Sequence, residues 1–125
     1  MRTLSSAPDL VARTKAFSLA TIRFYSRLPK DTASQVLGRQ LLRSATSVGA
    51  QYREAQRAKS ISDFISKTEG ALQEVDEAGY WLELIQESGL EGDAIAPLRE
   101  EAGQLLAIFV AITRKAKQTK LQKAG

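Results

Sequence analysis

Four arginines recur along one line of a predicted helix, where they are suited to binding phosphate groups. They are Arg39, Arg43, Arg53 and Arg57. At 3.6 residues per turn they fall within about 80° of one another, and Thr46 and Ala50 on the same line add no negative charge. A guanidinium group donates two parallel hydrogen bonds to a phosphate. The spacing therefore predicts a ridge that contacts the backbone of RNA or DNA. Arg23 and Arg27 of the preceding helix and the lysines of residues 117–125 are expected as secondary contacts.

The charge distribution gives these arginines a second interpretation. Basic and acidic residues number 11 and 3 in residues 1–59, 2 and 11 in residues 60–101, and 5 and 0 in residues 102–125. The net charges of the three segments are therefore +8, −9 and +5, which sum to +4. Such an asymmetry predicts contact with a polyanion, or basic and acidic faces that meet within or between protomers. In the second case the protein is an interaction scaffold.

The amino-acid composition excludes most kinds of catalytic site. The chain has no histidine and no cysteine, so it lacks an imidazole base, a thiol nucleophile and soft metal ligands. Carboxylates of the third predicted helix, such as Glu69 and Asp76, flank its apolar stripe instead of pointing into it. Ser44 has no activating base nearby. We therefore expect no enzymatic activity, no metal, no cofactor and no small-molecule substrate.

A second set of residues points to self-association. Lys67, Glu74 and Trp81 recur at seven-residue steps, away from the apolar stripe of their helix, and Tyr80 stands beside the tryptophan. Exposed aromatic residues are common anchors of protein interfaces. We expect this line, together with Glu83, to pack against the basic helices of another protomer. The alternative is a wider core that includes Trp81.

Apolar residues repeat with helical spacing in four segments that must position these side chains. The segments are residues 9–28, 32–58, 60–88 and 93–116, with Asp93 as the N-cap of the last. Short connections between long helices favour antiparallel neighbours. The sequence therefore predicts an all-α, up-down-up-down four-helix bundle.

Five glycines lie inside the predicted helices, where each costs about 0.5–1 kcal/mol relative to alanine. They are Gly38, Gly49, Gly70, Gly79 and Gly103. Because no glycine-rich turn between a strand and a helix is predicted, a phosphate-binding loop does not explain them. We expect them at points where two helices approach closely.

The ends of the chain are assigned from composition alone. We expect a flexible N-terminus over residues 1–8, a bundle domain over residues 9–116 and a basic, flexible tail over residues 117–125. No apolar run approaches the ~20 residues needed to span a membrane, and the first residues lack the apolar region of a secretion signal. A cytoplasmic protein that does not enter a membrane is the expectation.

Several short motifs between Leu41 and Ile85 recur in one known family. They are Arg43-Ser44, Ser47-Val48, Glu54-Ala55, Arg57, Phe64-Ile65 and Ala71-Leu72-Gln73-Glu74. In this region the chain resembles the bacterial four-helix-bundle family that includes proteins encoded in intervening sequences of the 23S ribosomal RNA gene. Two positions depart from the family pattern, since Gln51 stands where asparagine is usual and Glu69-Gly70 replaces a more apolar pair.

The resemblance implies more than the residues themselves show. It implies a left-handed bundle that assembles into a homopentamer, suspected association with nucleic acid, and no established enzymatic activity. Related pentamers of the same fold serve as nucleic-acid-binding subunits beside reverse transcriptases.

Overall fold

The computed structural model describes residues 9–90 and 94–124, and four helices make up nearly all of this part of the chain. Their bounds are Leu10–Ser26 for α1, Thr32–Gln56 for α2, Ile61–Glu87 for α3 and Ile95–Ala124 for α4. The described residues contain no β-strand. The predicted all-α class and the four helices are confirmed.

Side-chain caps explain where three of the helices begin. Asp9 accepts a hydrogen bond from the Ala12 N–H at 3.2 Å, and Asp31 accepts one from the Ser34 N–H at 3.1 Å. The Ser60 hydroxyl accepts one from the Asp63 N–H at 3.0 Å. These contacts satisfy N–H groups that have no partner within their helix. The predicted cap at Asp93 and the predicted flexible N-terminus at residues 1–8 lie outside the described residues.

The last helix is longer than the sequence pattern predicts. We expected the helix to end near residue 116, before a basic, flexible tail, whereas α4 continues to Ala124. Residues 117–124 contain no proline or glycine and consist largely of good helix formers, so nothing in them ends the helix. The Lys117 ammonium group also lies 2.7 Å from the Glu69 carboxylate of α3, which holds this turn against the bundle.

The apolar stripes of the four helices form one core. α1 packs against α2, α2 against α3, α3 against α4, and α1 against α4. The buried residues include Phe17, Leu41, Leu82 and Leu105, one from each helix. This packing is that of a helical bundle, and it buries the stripes that the sequence predicts.

Three threonines inside the core do not leave a buried hydroxyl group unpaired. Thr14, Thr21 and Thr68 each donate to the carbonyl oxygen four residues earlier, at 2.6, 2.8 and 2.7 Å. Burying a hydroxyl group without a partner costs roughly 1–3 kcal/mol, so these local bonds let threonine share the apolar face of a helix.

Close helix packing explains three of the five helical glycines. A Cβ atom on Gly38 would lie 2.7 Å from the side chains of Leu28 and Tyr25, and one on Gly70 would lie 2.6 Å from the Gln51 amide oxygen. At Gly49 it would lie 3.3 Å from the Thr14 hydroxyl oxygen. Gly79 and Gly103 have no such neighbour within 4 Å in the described part of the chain, so packing between its helices does not account for them.

Two leucines of α4 provide a test of the core. Leu105 is 0% exposed and Leu121 is 72% exposed. We expect Leu105→Ala to lower the free energy of unfolding by about 2–5 kcal/mol because it leaves a cavity, and Leu121→Ala to change it by less than about 0.5 kcal/mol. Urea unfolding followed by circular dichroism measures both. Equal losses for the two variants would contradict the described packing.

Candidate nucleic-acid interface

The position of the arginine ridge follows from the burial of the opposite face of α2. Leu41, Ala45 and Val48 lie on that face and are fully buried. Because the ridge lies on the opposite side of α2 from these buried residues, it must point away from the core. All four of its arginines, Arg39, Arg43, Arg53 and Arg57, are exposed. From the first to the last they span about 27 Å of helix axis, a length over which a duplex carries roughly 16 phosphate charges.

The ion pairs of the described residues leave the ridge out. Arg13 of α1 binds Glu101 of α4, with its Nε 2.7 Å and its Nη2 2.8 Å from the two carboxylate oxygens. Lys67 lies 3.0 Å from the Glu54 carboxylate, and Lys117 pairs with Glu69. No ridge arginine forms an ion pair within residues 9–90 and 94–124. As far as the described residues are concerned, the ridge therefore keeps its charge available to an outside group.

One ridge arginine lies within the electrostatic reach of α3. Partial burial of Glu74, and to a lesser extent the negative charge of Glu77, raise the pKa of the Glu74 carboxyl group, while the positive charge of Arg43 opposes the rise. The buried Ser44 hydroxyl donates to the Glu77 carboxylate at 3.3 Å. At this point α2 and α3 bring a carboxyl pair close to the ridge without forming a direct ion pair with it.

The secondary arginines do not extend the same surface. Arg23 and Arg27 are exposed, and both line a groove of about 350 Å³ between α1 and α4. Arg53 lines a different groove, between α1 and α2. The structure therefore places the two arginine sets beside different grooves, so a single straight backbone along the ridge does not also reach Arg23 and Arg27.

The predicted self-association line lies closer to α2 than the sequence pattern suggests. Lys67 pairs with Glu54 of α2, Glu74 is partly buried, and the partly buried Trp81 packs against the core. Since these three residues share one line, the line follows the side of α3 that faces α2, as in the wider-core alternative. The indole N–H of Trp81 is buried and has no hydrogen-bond partner among the described residues. Tyr80, whose ring centre lies 5.2 Å from that of Trp81, is 54% exposed.

Sequence reasoning missed a groove between α3 and α4. Its volume is about 520 Å³, and Gly79, Tyr80, Glu83 and Gly103 are among its lining residues. Glu83 was expected to serve a protein interface, but the groove itself was not foreseen. The sequence offered one sign of it, the helical glycines Gly79 and Gly103. A glycine indicates close approach by a neighbour, but it does not show whether that neighbour belongs to the same chain or to another molecule.

Residues 9–90 and 94–124 lack two features that would point to other functions. No helix among them is both long and apolar enough to cross a membrane. They contain no group of three or more acidic side chains arranged to hold a metal ion.

The raised pKa of Glu74 predicts how stability depends on pH. When the carboxyl group is ionised in both states, burial penalises the folded state, and protonation relieves this penalty as the pH falls through the folded-state pKa. We expect Glu74→Gln to be more stable than the wild type at pH 7, with the difference shrinking toward pH 4. Urea unfolding at several pH values measures it, and a difference that grows on acidification would contradict the described environment.

Asp31 provides a comparison of opposite sign. Hydrogen bonds from the side chain and backbone of Ser34 lower the pKa of the Asp31 carboxyl group. Its stabilising effect is therefore present at pH 7 and is lost as the pH falls from the ordinary aspartate pKa through the lower pKa of the folded state. The wild type should be more stable than Asp31→Asn at pH 7, and this advantage should disappear in acid.

Comparisons with known proteins place the chain in a family. The family model described as 23S rRNA-intervening sequence protein matches residues 9–111. A solved structure from Bacteroides thetaiotaomicron, described as a protein of unknown function from the S23 ribosomal protein family, is 30% identical in sequence with a TM-score of 0.77. The match covers 83% of this chain and 94% of the other. No curated protein matches the sequence significantly. On the strength of a family match that extends over all of α1 to α3 and more than half of α4, this chain is a member of the 23S rRNA-intervening sequence protein family.

Proposed function

We propose that this protein is a non-enzymatic, nucleic-acid-binding bundle that contacts RNA or DNA phosphates through the arginine ridge of α2. The observation that carries the proposal is the exposure of Arg39, Arg43, Arg53 and Arg57 without an ion-pair partner in the described residues. Phosphate contacts dominate the affinity of proteins that bind nucleic acid without a sequence code. The absence of histidine and cysteine supports a binding role rather than a catalytic one.

The aromatic residues favour contact with the backbone over contact with the bases. Binding of single strands by stacking uses exposed aromatic rings beside a basic groove. In this chain Phe17, Phe24 and Phe109 are buried, and the exposed Tyr80 lies on α3 near acidic side chains such as Glu83. Few exposed aromatic side chains therefore lie near the ridge, so we propose that binding of the nucleic acid depends on the charge and spacing of its phosphates.

Self-association strengthens such a surface, and we include it in the proposal. The family resemblance implies a homopentamer, and five copies of a chain with net charge +4 carry +20. Linked binding sites raise the overall affinity without any new contact. We propose that each protomer is an up-down-up-down, left-handed bundle in the cytoplasm. The register of α1 on α2 supports antiparallel neighbours, because Gly38 meets Leu28 near the end of α1 whereas Gly49 meets Thr14 near its start.

A second candidate function is a protein scaffold in which the basic and acidic faces of neighbouring protomers pair with each other. The observation that favours it is the neutralisation of two lysines, Lys67 and Lys117, by carboxylates, together with the closeness of Arg43 to Glu74. In that case the ridge arginines pair with carboxylates of a neighbouring protomer. Loss of the ridge charges then breaks the assembly instead of the binding of nucleic acid.

The variant Arg39→Gln with Arg43→Gln separates the two functions. Glutamine is a good helix former, so the helix is retained while two charges are lost. We expect the slope of log K against log salt to fall in magnitude by about 1.8 on a duplex and about 1.4 on a single strand, if each arginine neutralises one phosphate. Electrophoretic shifts with RNA and DNA across a salt series measure the slope.

A matched control makes the result specific to the ridge. Lys120→Gln with Lys123→Gln removes the same charge from exposed positions at the end of α4, and it should change the slope less. Sedimentation should show that the arginine variant keeps the assembly of the wild type. Equal slopes for the two variants would reject the ridge as the binding surface, and dissociation of the arginine variant would support the scaffold instead.

A further inference from the structure

We propose that the groove between α3 and α4 binds helix α1 of a second copy of this chain. The inference rests on the self-association proposed above and specifies the two surfaces that meet. Because the groove and α1 are different surfaces, the contact is head-to-tail.

The glycines of the groove indicate close approach by another molecule. Gly79 of α3 and Gly103 of α4 line the same groove, and a Cβ atom on either would meet no atom within 4 Å. Each costs up to about 1 kcal/mol of helix stability relative to alanine. Packing within the chain offsets this cost at Gly38 and Gly70, where a Cβ atom would collide with a neighbour. At the groove, the two glycines instead leave room for a helix backbone from outside.

The shape of this face suits a helix. A second depression of about 510 Å³ lies farther along the same two helices and is lined by Leu72, Val110 and Leu121 among others. From Arg99 to Leu121 the face extends about 33 Å along α4, and α1 is about 26 Å long. Val110 is an exposed apolar residue that such a neighbour would cover, whereas α1 is too short to cover the whole face as far as Leu121.

The charge of the groove selects a basic partner and disfavours a nucleic acid, whereas the second depression is lined by Glu69, Arg114 and Lys117 and has a net charge of +1. Asp76, Glu77 and Glu83 line the groove, with Arg99 as the one basic residue among its lining side chains. The whole of α3 carries seven acidic residues and one basic residue. A polyanion is repelled by such a surface, whereas a basic helix is attracted to it.

Helix α1 presents the complementary surface. It contains three basic residues and no acidic residue. Val11, Lys15, Leu19 and Ile22 lie at spacings of four, four and three residues, which places them on one face. Leu19 is 43% exposed and Ile22 is 44% exposed, so neither is covered within the chain. An apolar row with a basic flank fits a groove with an apolar floor and an acidic rim.

Two variants test the contact by damaging one surface each. Gly103→Leu fills the groove, and Ile22→Glu places a negative charge in the row that faces it. Ala111→Leu is the control, because Ala111 is an exposed residue of α4 that lines neither the groove nor the second depression. Sedimentation velocity at tens of micromolar gives the oligomeric state, and thermal melting by circular dichroism checks the fold.

The expected result is an assembly for the wild type and Ala111→Leu, and folded monomers for Gly103→Leu and Ile22→Glu. A mixture of the two monomeric variants should form a dimer, because each keeps the surface that the other lacks. A monomeric wild type, an intact Gly103→Leu assembly, or a mixture that stays monomeric would overturn the proposal. If Gly103→Leu does not fold, Asp76→Lys with Glu83→Lys at two exposed positions replaces it in the same comparison.

These outcomes are separate from those of the proposed function. If the ridge is not the binding surface, Arg39→Gln with Arg43→Gln changes the salt dependence of nucleic-acid binding no more than the lysine control does, while the assembly remains. Failure of the groove contact is seen in the oligomeric state of Gly103→Leu and Ile22→Glu, whatever the protein binds.

Discussion

Burial of one face of α2 is the constraint on which the rest of the molecule depends. Leu41 and Val48 are fully buried, and glycines of α2 meet side chains of α1 at two points. Rotating α2 to turn its arginines inward would expose this apolar surface, at about 25 cal/mol for each Å². The arginine ridge therefore holds its outward direction through packing on the other side of the helix, since its side chains form no ion pair with the described residues.

The charges of the chain are separated into surfaces with different roles. Within the chain, ion pairs connect α1 to α4, α2 to α3 and α3 to α4 through Arg13, Lys67 and Lys117. The remaining acidic surface concentrates around the groove of α3, and the remaining arginine charge concentrates on α2. Partly exposed ion pairs contribute little to stability, about 0–1 kcal/mol each. We infer that this separation serves recognition, since an acidic groove and a basic ridge attract different partners.

Much of the fold could be predicted from the sequence because the apolar period and the caps act locally. The N-termini of α1, α2 and α3 can be located from Asp9, Asp31 and Ser60, because each of these side chains accepts a hydrogen bond from the N–H group three positions later. The outward direction of Arg39 and Arg57 follows from the same period. The end of α4 was misplaced because lysine and glutamine are as common in helices as in irregular tails.

Relations between helices could not be predicted in the same way. The sequence places Lys67, Glu74 and Trp81 on one line of α3, but only the packing shows that this line faces α2. It likewise gives no means to distinguish Gly70, which meets Gln51, from Gly103, which meets nothing in its own chain. Both cases depend on which side of a helix packs against a neighbouring helix, and this is determined by the packing of all four helices together.

Chemical footprinting of arginines with phenylglyoxal tests most directly whether the ridge is available to an outside polyanion. The assembled protein is modified with and without RNA, and the modified positions are identified by mass spectrometry. Arg39, Arg43, Arg53 and Arg57 should react in the free assembly and become protected by RNA, while Arg13, held by Glu101, should react weakly in both. Ridge arginines that are already protected in the free assembly, with no further change on adding RNA, would contradict a role in binding nucleic acid.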